Sequence, residues 1–130
     1  MMAPGLAGTS GAAAADPACG VWHNSGLFPG ARARTCIWGV GAGWKSAQTE
    51  VFNGSGSSLL VSDMFAYLDP LDLQGARCFN IRLDRGQSGF CPTRSAADNN
   101  PFQFDQARGY VTVSDPELEE RMTVESPWVG

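Results

Sequence analysis

The sequence predicts an all-β protein: a single antiparallel β-sandwich of immunoglobulin-like size, with six or seven short strands and two disulfides. Short runs of alternating apolar and polar residues recur along the chain, and Gly, Pro, Asn and Asp separate them. No segment shows the apolar spacing of an amphipathic helix. A length of 130 residues fits one domain with one core. A small β-barrel is the alternative architecture.

The first segment has no predicted strand. Residues 1–15 are rich in Ala, Gly and Ser, and Ala13-Ala14-Ala15 before Asp16-Pro17 has the small-residue character of a signal-peptidase site. No basic residue precedes a short apolar run, so this segment is either a signal-peptide remnant or a flexible tail. We predict that residues 16–130 form the disulfide-stapled domain and that the protein is secreted.

Four cysteines, Cys19, Cys36, Cys78 and Cys91, are the strongest constraint on the fold. In an exported protein they form disulfides, with three possible connectivities. Pairing of neighbours closes loops of about 18 and about 14 residues, each worth about 3 kcal/mol. A zinc site is the alternative, but the spacings of 17, 42 and 13 residues lack the close pairs of structural zinc sites. We predict Cys19 with Cys36, Cys78 with Cys91, and no metal.

Residues 36–44 alternate between bulky and bare positions, which predicts a strand. Trp38 and Trp44 would share the bulky face and pack inward. Gly39, Gly41 and Gly43 would form the other face, where a second backbone or an aromatic ring can approach closely. Simple packing under a neighbouring loop is the alternative role for these glycines.

Residues 47–52 and 58–68 are the next predicted strands, and Asn53-Gly54-Ser55-Gly56 between them is typical of a hairpin turn. The second strand is apolar on both sides, so we expect it in the centre of a sheet or bulged near Asp63. Asp69-Pro70 ends it, because proline donates no ladder hydrogen bond. Strict alternation places one apolar set on one face (Leu59, Val61, Phe65 and Tyr67, interrupted by Asp63) and a second set on the other (Leu60, Met64, Ala66 and Leu68).

Three further strands are predicted in the second half of the chain, with a last cysteine-bearing segment at residues 89–92. Residues 77–83 alternate, with Phe79, Ile81 and Leu83 on one face. Residues 110–114 and 121–125 alternate again, and Met122 and Val124 of the last strand face the core. Residues 93–107 form a long polar loop, which is either functional or pinned by Phe102 and Phe104. The acidic residues 117–120 are expected in a solvated turn.

Reactive side chains are scarce. His23 is the sole histidine and sits in a loop flanked by Gly and Pro, which is a poor context for a Ser-His-Asp or Cys-His arrangement. A pair drawn from Asp63, Asp69, Asp72 and Asp105 could in principle serve a hydrolase, but surface charge explains thirteen carboxylates more simply. We predict no catalytic residues and no cofactor, and hence no enzyme.

The charge and hydropathy exclude further partner classes. The net charge is −4, with one Lys and eight Arg and no basic run, so nucleic acid is not an expected partner. No stretch approaches the roughly 18 to 20 apolar residues that cross a bilayer, so we expect no membrane insertion. Gly39-Val40-Gly41-Ala42-Gly43 lacks the ending of a phosphate loop.

Four tryptophans are many for this length, and tryptophan is favoured both in cores and at binding hot spots. Trp22 and Trp128 lie near the termini, so they are our candidates for exposed contacts with protein or sugar. Core packing is the alternative for each. Together with Gly39, Gly41 and Gly43, they make up the predicted partner-binding residues.

The residues 18–26, Ala-Cys-Gly-Val-Trp-His-Asn-Ser-Gly, the cysteine layout and the ending Ser126-Pro127-Trp128-Val129 resemble small secreted two-disulfide proteins of actinobacteria. Among these, the chain is similar to the small adaptor subunit of the umbrella toxin particles of Streptomyces. The resemblance implies a non-enzymatic connector between a repeat-containing toxin and a lectin-bearing subunit. A carbohydrate-binding module is the first alternative. An exported protease inhibitor, with Arg82 or Arg85 as specificity residue, is the second.

Overall fold

A computed structural model describes residues 17–130; the predicted signal or tail segment lies outside the described residues. This part of the chain is all β and contains no helix, so no helix long and apolar enough to span a membrane occurs in it. The strands are, in chain order, β1 (Ala18–Cys19), β2 (His23–Asn24), β3 (Ala31–Gly41), β4 (Trp44–Asn53), β5 (Leu59–Asp69), β6 (Asp72–Leu83), β7 (Ser88–Pro92), β8 (Ala96–Ala97), β9 (Gln106–Ser114) and β10 (Glu119–Glu125).

The strands form two antiparallel sheets that pack as a sandwich, which confirms the predicted fold class. Sheet A has the order β1-β3-β4-β7, with β2 beside β3 and β8 beside β4. Sheet B has the order β10-β9-β5-β6, which confirms that β5 is an inner strand. Both predicted disulfides are present, Cys19 with Cys36 and Cys78 with Cys91, so the zinc alternative is wrong.

The two disulfides connect different parts of the fold. Cys19 joins β1 to β3 within sheet A, whereas Cys78 on β6 joins sheet B to Cys91 on β7 of sheet A. Cys91 is fully buried, and Cys78 packs against the main core. The second disulfide therefore closes one side of the sandwich.

The predicted strand over residues 36–44 is wrong, because the chain reverses within it. β3 ends at Gly41 and β4 begins at Trp44, with φ values of 96°, 51° and 80° at Gly41, Ala42 and Gly43. Glycine accepts this left-handed backbone, which a hairpin turn requires. Trp38 is therefore half-buried on one strand, and Trp44 lies 46% exposed on the next.

The predicted hairpin through Asn53 is also wrong, although the turn itself is present. β4 and β5 belong to different sheets, so these residues carry the chain from sheet A to sheet B. The buried Asn53 amide donates to the carbonyls of Ser57 and Leu83 at 2.9 Å each, and its oxygen accepts from Ser55 N and Oγ at 3.0 and 2.6 Å. A side chain that satisfies this many backbone groups fixes the crossover.

A bulge in β5 changes which residues face the core. The register against β9 shifts between Val61 and Asp63, so β5 has one extra residue there, as predicted near Asp63. After the bulge, Met64 points inward on the same side as Val61, whereas Phe65 and Tyr67 lie on the outer face. The predicted division of the apolar residues of β5 is therefore wrong beyond Asp63. On β6, Asn80 has a φ of 54°, and Phe79 points outward with 58% exposure, whereas Leu83 is buried and Ile81 packs against the core. The prediction that these three residues share one face is therefore wrong.

The core lies between the sheets in two parts. The main cluster is centred on Val51, Met64, Val111 and Met122, and the predicted inward face of the last strand is confirmed. A smaller cluster at one end unites Ile37, Ala47, Leu68 and Ala107, with Val129 packed against it. This end of the sandwich holds the β3–β4 turn and the chain's C-terminus.

Glu120 does not lie in a solvated turn, as expected from the acidic run. It belongs to β10, and its carboxylate accepts hydrogen bonds from Ser25 Oγ at 2.5 Å, Leu27 N at 3.1 Å and Gly26 N at 3.2 Å. The Ser25 hydroxyl and these backbone donors lower the pKa of Glu120 below its usual value. The loop after β2 is thereby tied to sheet B.

Candidate binding surfaces

One end of the sandwich exposes large hydrophobic side chains from three segments. Trp44 is 46% exposed beside the β3–β4 turn, and Val40 is exposed on the other side of that turn. Phe102 and Phe104, in the segment before β9, are 89% and 64% exposed, and Trp128 near the C-terminus is 50% exposed. We call these five residues the apolar end.

Backbone hydrogen bonds hold the three segments together. Asp98 N donates to Gly43 O at 2.7 Å, and Ala97 on β8 pairs with Trp44. Asp105 and Val129 form an isolated antiparallel bridge with N–H···O distances of 2.7 and 2.8 Å. The segment of residues 98–105 therefore lies between the β3–β4 turn and the C-terminal residues.

A buried ionic cluster fastens the same segment to β4. Lys45 Nζ lies 3.1 Å from Asp105 Oδ2 and 3.5 Å from Asp98 Oδ2, and Gln103 Nε2 donates to Asp105 Oδ1 at 3.0 Å. The Asp105 side chain is fully buried, and that of Lys45 is only 13% exposed. We call Lys45, Asp98 and Asp105 the ionic latch.

The two carboxyls of the ionic latch have opposite pKa shifts. Burial, together with the neighbouring Asp98, raises the pKa of Asp105. The hydrogen bond from the Asp105 carboxyl, with that from Asn100 N, lowers the pKa of Asp98. When the pH falls, a proton is therefore taken up first by the more deeply buried Asp105, and Lys45 compensates negative charge of the pair.

The ionic latch holds the long loop of residues 93–107 against β4, whereas Phe102 and Phe104 do not anchor it. Both rings are exposed, so that prediction is wrong. Sequence reasoning missed the latch because Lys45 is separated from Asp105 by 60 positions. One available signal was that Lys45 is the chain's only lysine and lies directly after the apolar Trp44.

The predicted partner-binding residues fall on two different surfaces. Trp128 belongs to the apolar end, and Gly41 and Gly43 form the turn beside Trp44. Gly39 is half-buried on β3, opposite Lys45. Trp22 is half-buried against the outer face of sheet A, where the Cζ atoms of Arg32 and Arg34 lie 4.4 and 4.3 Å from its ring. Its ring is thus already engaged in cation–π contacts within the protein.

The outer face of sheet B carries a row of aromatic rings that sequence reasoning did not identify as a site. The ring centroids of Phe65 and Tyr67 on β5 are 5.2 Å apart, and those of Phe65 and Tyr110 on β9 are 5.5 Å apart. All three rings are half-buried. We call them the aromatic row. The signal that could have found it is the spacing of two residues between Phe65 and Tyr67 on one strand.

Arginines lie over and between these rings. Arg77 Cζ lies 5.0 Å from the Phe65 ring, and its Nη1 donates to the Tyr110 hydroxyl at 2.8 Å. Arg121 Cζ lies 4.0 Å from the Tyr110 ring. Such contacts orient each guanidinium on the sheet surface.

Carboxylates on the same face balance these arginines. Asp63 Oδ2 lies 3.2 Å from Arg121 Nη2, and Asp63 Oδ1 lies 3.9 Å from Arg77 Nη1. Arg108 Nε lies 3.7 Å from Asp69 Oδ2 and 3.9 Å from Glu125 Oε2. Three guanidinium groups therefore face three carboxylates, and the charges of these six groups sum to zero.

The comparisons with known proteins identify no relative of this chain. A scan against protein-family models finds no match to the chain, and a search of curated proteins finds no similar sequence. Within residues 17–130, no three His, Cys, Asp or Glu side chains are grouped closely enough to hold a metal ion. Any functional conclusion therefore rests on the two surfaces described above.

Proposed function

We propose that the protein is an exported, non-enzymatic binding subunit that connects other secreted proteins, and that the apolar end is its contact surface. The observation that carries this proposal is the exposure of Trp44, Phe104 and Trp128 on three segments held side by side. Aromatic side chains supply large contact area at low entropic cost and dominate interface hot spots.

The contacts beneath these side chains hold them in place, which supports a binding role for the apolar end. The ionic latch and the Asp98–Gly43 hydrogen bond hold the loop against the β3–β4 turn before any partner arrives. A surface that is already ordered loses less conformational entropy on association. Exposed apolar groups on a rigid surface are also the feature that commonly marks a protein-interaction site.

Two disulfides support export, because such bonds form and persist in oxidising compartments. The resemblance to umbrella toxin adaptors supplies the partner class that we propose: a repeat-containing toxin and a lectin-bearing subunit. The inhibitor alternative is less favoured, since Arg82 lies within β6 and Arg85 in the short turn that follows, with no long projecting loop around them.

A paired-variant pull-down tests the proposal. The tagged protein, a Trp44→Ser/Phe104→Ser variant and a Phe90→Ser control are each incubated with culture supernatant of the organism that encodes the chain. Phe90 is 48% exposed on β7, away from the apolar end. Its replacement by Ser therefore also removes an exposed aromatic ring, but outside the proposed contact surface. We expect one defined secreted partner, bound at least about 30-fold more weakly by the double variant, which corresponds to about 2 kcal/mol.

Three outcomes would contradict the proposal. The first is recovery of the wild-type protein alone. The second is equal retention of the partner by the double variant and the wild-type protein. The third is a loss that the Phe90→Ser control shares. Melting temperatures of all three proteins, measured in parallel, ensure that the comparison is made between folded molecules.

A further inference from the structure

The outer face of sheet B has an ordered arrangement of side chains across four strands. Thr123 on β10 lies opposite Tyr110, Tyr110 opposite Phe65, and Phe65 opposite Arg77 on β6. Directly opposite residues on one sheet face bring their Cβ atoms to about 5 Å, so these side chains form a continuous line. The aromatic rings occupy its middle.

A second line runs parallel to the first. Glu125 lies opposite Arg108, and Arg108 lies opposite Tyr67. The next strand, β6, presents Gly75 near Tyr67, since a Cβ placed on Gly75 would come within 2.7 Å of Tyr67 Cβ. Gly75 therefore places no Cβ against Tyr67, and the Phe65 ring lies beside that position, since its Cε1 would be 3.0 Å from such a Cβ. In the described part of the chain, no guanidinium lies over the Tyr67 ring either.

The chemistry of this face suits a sugar. A pyranose has an apolar C–H face that packs on an aromatic ring, and hydroxyls that need donors and acceptors fixed beside that ring. Phe65 is stacked on one face of Tyr67, with centroids 5.2 Å apart and an interplanar angle of 28°, so the opposite face of Tyr67 offers the ring surface. Arg77, Arg108 and Asp69 surround them with planar donors and acceptors, and the two arginine side chains are 54% and 40% exposed.

Charge decides which class of ligand fits. An anionic polymer needs a surplus of cations, whereas here the three arginines are balanced by three carboxylates. A protein interface concentrates apolar groups at its centre and is depleted of charge there. On this face the rings are half-buried and charged side chains lie among them, which is the opposite arrangement.

We propose that the outer face of sheet B binds a neutral glycan, with Tyr67 as the stacking ring and Arg108, Asp69 and Arg77 as the groups that orient its hydroxyls. This site uses other residues than the apolar end, although Tyr67 and Arg108 are the chain neighbours of Leu68 and Ala107 at the same end of the sandwich. It lies on the outer face of sheet B and does not depend on the adaptor proposal. A protein with both surfaces would hold its partner at one end while a sheet face contacts a polysaccharide.

Affinity electrophoresis in native gels tests this site. The gels contain one of four neutral polysaccharides (a β-glucan, xylan, mannan or soluble chitin derivative) or one of two anionic polymers (alginate or heparin). Wild-type protein is compared with Tyr67→Ala, with Arg108→Gln as a second variant, and with Phe102→Ala at the apolar end as the control. We expect at least one neutral glycan to retard the wild-type and the control equally, with at least tenfold weaker binding by the two sheet-B variants.

Each contrary result overturns the assignment. It is wrong if no neutral glycan retards the wild-type protein, if only alginate or heparin does, or if both sheet-B variants are retarded like the wild type. Circular dichroism establishes that the variants are folded, and Arg108→Gln decides the outcome if Tyr67→Ala does not fold. The Trp44→Ser/Phe104→Ser variant should keep its glycan retardation, so failure of the adaptor proposal and failure of this one are distinguishable.

Discussion

Replacement of Lys45 by Met removes the only cation of the ionic latch and leaves its two carboxyls facing each other. Lys45 Nζ is 3.1 Å from the fully buried Asp105 and 3.5 Å from Asp98. Methionine keeps much of the aliphatic length, so the change isolates the charge. Removal of one partner from a buried ion pair costs about 3 to 5 kcal/mol. Because Lys45 is 13% exposed, we expect the lower value, about 3 kcal/mol at pH 7.

The pH dependence of this loss follows from the Asp105 pKa, which burial already raises above the usual 3.8. Without Lys45 it rises further, so the folded variant takes up a proton at a pH where the unfolded chain remains ionised. The cost of Lys45→Met is therefore greatest at neutral pH and shrinks as the pH falls through the raised Asp105 pKa. Asp98, whose pKa is lowered, stays ionised throughout this window and loses its stabilising contribution only below its usual 3.8.

Urea unfolding at pH 7 and at pH 4.5, followed by tryptophan fluorescence and circular dichroism, measures both effects. A loss of about 3 kcal/mol corresponds to a fall in Tm of about 10 °C for a domain of this size. Arg94→Met is the matched control, because Arg94 is exposed just before β8, and we expect a change below about 0.5 kcal/mol. A Lys45→Met loss that is below about 1 kcal/mol at pH 7, or that is equal at the two pH values, would refute the reasoning.

Two further predictions concern contacts that join the sheets. Replacing Cys78 and Cys91 together by Ser opens a loop with a sequence separation of 13 and should lower the free energy of unfolding in urea by about 3 kcal/mol. Packing is lost in addition, because Cys91 is fully buried. A loss no larger than that caused by replacing Cys19 and Cys36 would show that bridging the sheets adds no stability. Glu120→Gln should lower the free energy of unfolding by about 1 kcal/mol at pH 7, because the carboxylate accepts three hydrogen bonds. Because the pKa of Glu120 is lowered, its contribution to the free energy of unfolding is present above the usual pKa of 4.5 and is lost as the pH falls through the folded-state pKa. A Glu120→Gln variant that is destabilised as much at pH 3 as at pH 7 would contradict this account.

Local patterns were sufficient where neighbours in sequence are also neighbours in space. The inward face of β10 was predicted correctly because Met122 and Val124 simply alternate with polar residues. The inward face of β5 was predicted wrongly, because the bulge at Val61 to Asp63 reverses the alternation halfway along the strand. A period of two residues carries no information about an inserted residue.

The two candidate surfaces likewise contain residues that the sequence identified and residues that it did not. Trp128 was identified from its type and position, and the structure places it at the apolar end. The glycines around Gly41 were assigned to a strand face, whereas their positive φ values form the turn that presents Trp44. Tyr110 was not considered as part of a site, since only strand pairing brings it beside Phe65 from another part of the chain.

The amino-acid sequence by itself determined the all-β class and the positions of most strands, because each of these depends on residues a few positions apart. For the cysteines it left three connectivities open and only favoured the observed pairing, whose partners are 17 and 13 positions apart. Tertiary structure alone decided that the turn after β4 crosses between sheets, that Lys45 meets Asp105, and that rings and guanidiniums assemble on sheet B. These contacts join residues far apart in the chain, and their geometry depends on strand order and register, which no local pattern specifies.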